Sequence, residues 1–158
     1  MIKLTPMLPK YLEQVMTLSI ADEQLAYVGT IEEVLVNADD KVHPHLVLAD
    51  EQVVGIFLID TIYSDRYDFA PSECLGFRAF LIDIKYQGLG YGKAVIAQLK
   101  SYLNHQYQQN DMVYLTVNCK NPVAYQCYLN NGFADLGELF NGGAAGPQHI
   151  MLMKIDTE

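Results

Sequence analysis

Two hydrophobic periods alternate along the chain, and each change of period predicts the end of one element and the start of another. Apolar residues three or four apart are typical of a helix, whereas alternating or continuous short apolar runs are typical of strands. Strands are predicted at residues 2–5, 46–49, 53–59, 74–84, 113–117, 133–139 and 148–155. Helices are predicted at residues 10–19, 22–37, 93–108 and 121–130. The order β-α-α-β-β-β-α-β-α-β-β predicts a mixed α/β fold in a single domain.

Local signals refine this outline. Thr30 followed by Glu33 is a capping-box pattern that predicts a helix start at Ile31. The polar pair at residues 50–51 predicts a hairpin turn between two strands. The near-continuous apolar run at 74–84 predicts a central strand buried on both faces. Residues 61–73 are polar, and we expect them to be irregular.

Composition and charge limit the class of protein. The chain has 158 residues, of which 51% are hydrophobic, enough for one buried core. It has no membrane-length apolar run and no signal-peptide pattern, so we expect a cytoplasmic protein. The net charge is −9 and the basic residues are scattered, which argues against nucleic-acid or membrane partners. An acidic surface favours a cationic substrate.

Metal binding is not expected from the cysteines or histidines. The three cysteines are Cys74, Cys119 and Cys127, and they form no CxxC pair. The pair His43 and His45 has no carboxylate or cysteine at ligand spacing nearby, so we interpret it as part of a loop.

The sharpest chemical signal is the glycine-rich stretch between the strand at 74–84 and the following helix. Gly88, Gly90 and Gly92 remove side chains at alternate positions, so a ligand can approach the backbone. The free N–H groups and the dipole of the helix start suit an anion such as a diphosphate. Lys93 adds a positive charge.

Three nucleotide-binding patterns compete for this stretch. A Walker A loop requires Ser or Thr after the lysine, but Ala94 follows Lys93. A dinucleotide fingerprint requires Gly or Ala at the position of Lys93. The acyl-CoA pattern Gln/Arg-x-x-Gly-x-Gly/Ala is matched at every position from Gln87 to Gly92.

Two blocks of sequence resemble the GCN5-related N-acetyltransferase (GNAT) superfamily. Residues 80–92 contain the acyl-CoA pattern. Residues 121–133 match N-x-x-A-x-x-x-Y-x-x-x-G-F through Asn121, Ala124, Tyr128, Gly132 and Phe133. The resemblance covers nearly the whole chain in element order. It implies one N-acetyltransferase domain over residues 1–158, with a central, mixed, mostly antiparallel and splayed sheet flanked by helices.

The resemblance also implies acetyl-CoA as co-substrate, with no metal. The residues that it assigns to acetyl-CoA lie on the central strand, on the glycine-rich stretch and at the start of the next helix: Phe80, Leu81, Ile82, Gln87, Gly88, Leu89, Gly90, Tyr91, Gly92, Lys93 and Asn121. Tyr128 matches the tyrosine beside the thioester sulfur, and we predict that it protonates the leaving thiolate.

The general base stays open at this stage. Some relatives use a glutamate on the central strand, where this chain has Arg78. The remaining candidates are water in a polar channel and the carboxylates Glu73, Asp83, Asp22 and Glu23.

The acceptor is expected to be a small-molecule amine. The resemblance implies that the N-terminal helices, the β-hairpin loops and the last hairpin select the acceptor. These segments carry carboxylates and tyrosines: Glu23, Tyr27, Glu32, Glu33, Asp65, Tyr67, Asp68 and Glu73. Of these, Glu23, Tyr27 and Glu73, together with Asp83, are the predicted substrate-binding residues. Residues 23–27, 86–88 and 137–142 bear a weaker resemblance to short bacterial spermine/spermidine acetyltransferases, which implies a polyamine.

Alternatives to polyamine acetylation are acetylation of another amine (an amino acid, an antibiotic or a protein N-terminus) and a CoA-binding module without catalysis. A nucleotide hydrolase is a third alternative, but the sequence has neither the Lys-Ser/Thr phosphate loop nor the metal ligands that such an enzyme needs. The exposed strand edges of the last hairpin allow pairing across a homodimer.

Overall fold

A computed structural model describes residues 1–155, except for the side chains of Glu23, Ala26 and Tyr27. The chain divides into two compact units. The first comprises Met1–Thr61 and Phe77–Val95, and the second comprises Ile62–Gly76 and Ile96–Glu158.

Within the described residues, seven strands form one mixed sheet in the order β1-β2-β3-β4-β5-β7-β6. The strands are β1 (Ile2–Pro6), β2 (Val42–Ala49), β3 (Gln52–Asp60), β4 (Leu75–Ile82), β5 (Met112–Asn118), β6 (Ala134–Phe140) and β7 (Gln148–Lys154). The pairs β1–β2, β2–β3, β5–β7 and β6–β7 are antiparallel, and β4–β5 is parallel. The predicted fold class, an open mixed α/β sheet with β4 at its centre, is confirmed.

The helices are α1 (Leu12–Met16), α2 (Asp22–Val28), α3 (Ile31–Val36), α4 (Tyr63–Arg66), α5 (Tyr91–Gln106) and α6 (Pro122–Asn130). Gly29, with φ +85°, separates α2 from α3, where the left-handed backbone cannot continue a helix. The capping box is confirmed: Glu33 N donates to Thr30 Oγ1 and Thr30 N donates to Glu33 Oε1, both at 3.2 Å.

The core of the first unit lies between the helices and the strands β2 and β3. Val15 of α1 and Val34 of α3 are buried there with Leu46 and Ile56 of the strands. The β2–β3 hairpin is confirmed, since Asp50 and Glu51 both have positive φ in its two-residue turn.

The interpretation of His43 and His45 as loop residues is wrong, because β2 begins at Val42. The two histidines interrupt the apolar pattern of the strand, which concealed its first half. The ring of His45 is 2% exposed and stacks on Phe57 at 5.3 Å. Burial, and then the charge of His43, lower the pKa of His45 to about 3. His45 is therefore a neutral core residue at physiological pH.

The second unit is built around β5 and β7, with β6 beyond β7. An aromatic cluster packs within it and includes Tyr63, Tyr67, Phe69, Tyr114 and Phe140. The expectation that residues 61–73 are entirely irregular is wrong, since α4 lies within them. The tertiary burial of Tyr63, which is 1% exposed, stabilises a turn of helix that the local polar sequence does not indicate.

The described residues contain neither a membrane-spanning helix nor a cluster of metal-binding side chains. Within residues 1–155, no helix combines the length and apolarity needed to cross a membrane. In the same part of the chain, no group of three or more His, Cys, Asp or Glu residues is arranged to hold a metal ion.

Candidate active site

The glycine turn, residues 87–93, connects β4 to α5 after a single 3-10 turn at Ile84–Tyr86. Gly88 and Gly90 have φ of +80° and +82°, a conformation that only glycine adopts readily. A Cβ atom added at Gly88, Gly90 or Gly92 would meet no protein atom within 4 Å. Their absent side chains therefore leave open space beside the backbone and are not needed for packing.

Unpaired backbone donors lie along the glycine turn. The first bond of α5 is donated by Ala94 N to Gly90 O at 3.1 Å. The N–H groups of Tyr91, Gly92 and Lys93 precede this bond, and no acceptor faces them in the described part of the chain. Since α5 is 16 residues long, its dipole adds partial positive charge at this end. The glycine turn therefore fits a diphosphate.

The side chain of Gln87 fixes the entry to the glycine turn. Its amide donates to the carbonyl oxygen of Ile82 at 3.0 Å and contacts Gln24 Oε1 of α2 at 3.5 Å. The first residue of the acyl-CoA pattern thus ties the turn back to the last residue of β4.

The strand β4 is irregular just before the glycine turn. Ala79 has φ +55°, a strained value for a residue with a Cβ atom in the middle of a strand. The ladder between β4 and β5 consists of the pairs Leu75–Val113 and Gly76–Tyr114, near the start of β4. Residues 80–82, predicted to contact acetyl-CoA, come after this short ladder. No sequence signal indicated the irregularity, because Ala79 is not a glycine.

Arg78 forms an ion pair with a carboxylate that the sequence reasoning did not single out. Arg78 Nη1 lies 3.1 Å from Asp60 Oδ2, and the side chain of Asp60 is fully buried. Asp60 ends the apolar strand β3, and a buried carboxylate requires a partner. This position in the sequence was the signal that could have indicated the ion pair. Arg78 therefore neutralises a buried charge.

Asp83 is placed in the interior of the first unit, where its side chain is 2% exposed. Its oxygens accept from Lys85 N at 2.8 Å, Ser19 N at 3.0 Å and Lys85 Nζ at 3.0 Å. Burial raises the pKa of Asp83, but these donors outweigh burial and hold the pKa below its ordinary value. Asp83 is therefore an ionised carboxylate with several partners.

Asn121 and Tyr128 both belong to α6 in the second unit. Asn121 is the N-cap, and its Oδ1 accepts from Ala124 N at 3.4 Å. The partly buried ring of Tyr128 packs edge-on against Phe133 at 5.5 Å. Burial, and then the neighbouring Cys127, raise the pKa of Tyr128, so its phenol stays protonated at neutral pH.

A second tyrosine of α6 belongs to a polar cluster. Tyr125 donates to Asp135 Oδ2 at 2.6 Å, and its ring lies 4.2 Å from the ring of His149. The hydrogen bond to Asp135 is the main cause that raises the pKa of Tyr125, and it lowers the pKa of Asp135. Tyr125 is thus held by Asp135 and by the ring of His149.

Two of the predicted substrate-binding residues, Asp83 and Glu73, belong to different units of the chain. Asp83 lies in the first unit, whereas the exposed Glu73 lies in the second and its carbonyl oxygen accepts from Asn110 Nδ2 at 2.6 Å. The side chains of Glu23 and Tyr27 lie outside the described residues.

The chain belongs to the acetyltransferase (GNAT) family, whose sequence model matches residues 11–133. It is therefore a GNAT-type N-acetyltransferase. Comparison with curated proteins gives no match.

Solved structures of several acetyltransferases have a similar fold. The spermidine N-acetyltransferase of Vibrio cholerae, in complex with CoA and spermine, is 20% identical with a TM-score of 0.70, covering 97% of this chain and 95% of that one. The aminoglycoside acetyltransferase AAC(6')-Ib with coenzyme A is 16% identical with a TM-score of 0.76, covering 98% and 95%. The ribosomal-protein-S18-alanine N-acetyltransferase of Escherichia coli is 14% identical with a TM-score of 0.69, covering 100% and 96%.

The ion pair of Arg78 generates a stability prediction. Arg78→Met should lower the free energy of unfolding by up to about 3 kcal/mol, because the buried Asp60 would lose a counter-charge. The partial exposure of the guanidinium limits the loss. The double variant Asp60→Leu/Arg78→Met should recover much of the loss. Urea denaturation of both variants measures this. Equal stability of Arg78→Met and the unmodified chain would exclude a structural role for the pair.

Proposed function

We propose that this chain transfers the acetyl group of acetyl-CoA to a primary amine by direct attack, and that the acceptor is a polyamine or a similar polycation. The observation that carries the first part is the glycine turn. Among residues 1–155, open space lies beside its three glycines and no acceptor is found for three N–H groups at the start of a long helix. Membership of the GNAT family supports the same reaction.

The glycine turn binds the diphosphate of the coenzyme in this proposal. The N–H groups between Gln87 and Lys93 donate to its oxygens, and the exposed ammonium of Lys93 adds a charge. Gly88, Leu89, Gly90, Tyr91 and Gly92 supply the rest of this surface.

The backbone of Phe80, Leu81 and Ile82 pairs with the amide-containing pantetheine arm, beyond the short ladder of β4 with β5. Asn121 contributes to the same arm. The carbonyl oxygen of Ile82 already accepts from the side chain of Gln87.

The reaction forms a bond between the amine nitrogen and the acetyl carbon and breaks the bond from carbon to sulfur. The phenol of Tyr128, kept protonated by its raised pKa, donates a proton to the departing thiolate. A backbone N–H group stabilises the transient oxyanion. The amine proton passes to water or to a carboxylate. Arg78 is not a base, since its guanidinium neutralises Asp60.

Charge supports the assignment of the acceptor. The chain has a net charge of −9, and Glu32, Asp65, Asp68 and Glu73 are exposed carboxylates. A negative surface concentrates a polycation near the protein and accelerates its encounter. The Vibrio cholerae neighbour was solved with spermine, which is consistent with this class of acceptor.

Substitution of the glycine turn tests coenzyme binding. Gly90→Ala should weaken acetyl-CoA binding about tenfold or more, because the strained backbone misaligns donors to a charged group. Gly137→Ala is the matched control: its φ is +91°, and it too has no neighbour within 4 Å. Calorimetry should show an unchanged dissociation constant for Gly137→Ala. Equal affinities in both variants would contradict the assignment of the turn.

Removal of one hydroxyl tests the proton donor. Tyr128→Phe should lower kcat about 100-fold while the dissociation constant of acetyl-CoA stays the same. Tyr125→Phe, on the same helix, should keep its kcat because its phenol bonds Asp135 instead. Thiol release measures both. A normal kcat for Tyr128→Phe would remove this residue from the mechanism.

A panel of amines tests the acceptor. Thiol release should be accelerated by spermine and spermidine, and kcat/KM should fall steeply as salt screens the negative surface. The competing acceptors are kanamycin, which is present with coenzyme A in another structure of AAC(6')-Ib, and a peptide with N-terminal alanine, after the name of the Escherichia coli neighbour. Acceleration by one of these and not by any polyamine would assign a different acceptor to the same reaction.

A further inference from the structure

A carboxylate lies between the glycine turn and the helices of the first unit. Asp83 follows β4 directly and precedes the 3-10 turn that leads into the glycine turn. Its near-complete burial leaves little surface for a substrate, and three donors already surround its oxygens. The carboxylate of Asp83 therefore binds other groups of the protein rather than a substrate.

The partners of Asp83 belong to two separate segments. Oδ1 accepts from Lys85 N at 2.8 Å, which fixes the approach to the glycine turn. Oδ2 accepts from Ser19 N at 3.0 Å, in the α1–α2 connection, residues 17–21. In return, Ile84 N donates to Ser19 O at 3.0 Å. The two segments thus exchange hydrogen bonds in both directions.

Two additional bonds define the surroundings of this bridge. Asp83 N donates to Val54 O of β3 at 2.8 Å, so the bridge is anchored on the sheet. A weaker contact of 3.5 Å joins Gln87 of the glycine turn to Gln24 of α2. The start of the glycine turn is therefore tied both to the α1–α2 connection and to α2.

The helices at this bridge depend on external contacts for their position. The helices α1 and α2 have five and seven residues, which is too short for stability in isolation. Neither has a side-chain N-cap, and Ala21 at the start of α2 is 1% exposed. The position of α2 is therefore sensitive to the segment that Asp83 holds.

We propose that Asp83 is a positioning residue that couples the glycine turn to the α1–α2 connection, so that coenzyme A in the turn also fixes the start of α2. The proposal rests on the proposed function, since it requires the turn to be the coenzyme site. It gives the N-terminal helices, expected on the acceptor side, a direct dependence on coenzyme binding. The acceptor amine then binds more tightly to the coenzyme-loaded protein than to the free protein.

Hydrogen exchange with coenzyme A as the probe tests this coupling. Saturating coenzyme A should slow the exchange of amides at residues 84–95, where it binds. It should also slow residues 17–24 about fivefold or more, the range typical of coupled sites. Slower exchange at residues 17–24 is specific to the coupling, because these residues lie outside the glycine turn.

Asp83→Asn should separate the two effects. Asparagine keeps the size of the side chain but presents an amide NH₂ group to one of the two backbone donors, so only one of these bonds survives. Slowing at residues 84–95 should persist, whereas slowing at residues 17–24 should be reduced, because the bond from Ile84 N to Ser19 O remains. The KM of the acceptor should rise more than that of acetyl-CoA.

Two controls keep the backbone bonds intact. Ser19→Ala retains the N–H group that donates to Asp83, and Lys85→Gln removes only the ammonium. Both should keep the coenzyme effect at residues 17–24. If Asp83→Asn does not fold, Gln24→Leu replaces it, and the same effect should be reduced because the second contact is lost.

The outcomes distinguish this proposal from the proposed function. Slowing confined to residues 84–95 in the unmodified chain, or equal slowing at residues 17–24 in Asp83→Asn, would overturn the coupling and leave coenzyme binding intact. No slowing in either segment, with no calorimetric signal for coenzyme A, would overturn both.

Discussion

The change from strand to helix at the end of β4 is the constraint on which the rest of the structure depends. The chain passes through two left-handed glycines, Gly88 and Gly90, before α5 begins. In the part of the chain that the structure describes, this path leaves the first N–H groups of the helix without acceptors and leaves open space beside the glycines. Such a backbone is costly to hold in one conformation, and buried bonds to Asp83 and from Gln87 provide the support.

Charged groups in the first unit support the site without being the reacting groups. Asp60 and Arg78 neutralise each other near the irregular part of β4, and Asp83 is held by three donors. Because both carboxylates have partners, neither is an exposed base. Acid–base chemistry in the proposed mechanism therefore depends on Tyr128 of the second unit and on water or a carboxylate other than these two.

Most of the fold and the family were accessible from local patterns. The glycine turn, the capping box of Thr30 and Glu33, and the block from Asn121 to Phe133 each have a signal within a few residues. Local signals fail where burial decides: α4 forms around the buried Tyr63, and β2 extends through His43 and His45.

By itself, the sequence determined the order of the elements, the GNAT family and the stretch expected to bind the coenzyme, because these depend on residues close together along the chain. Only the tertiary structure decided the partners of distant polar groups. Asp83 meets Ser19 across 64 positions, and Arg78 meets Asp60 across 18. A buried charge must find a partner, but the sequence does not state which one, since that choice depends on how the strands and helices pack.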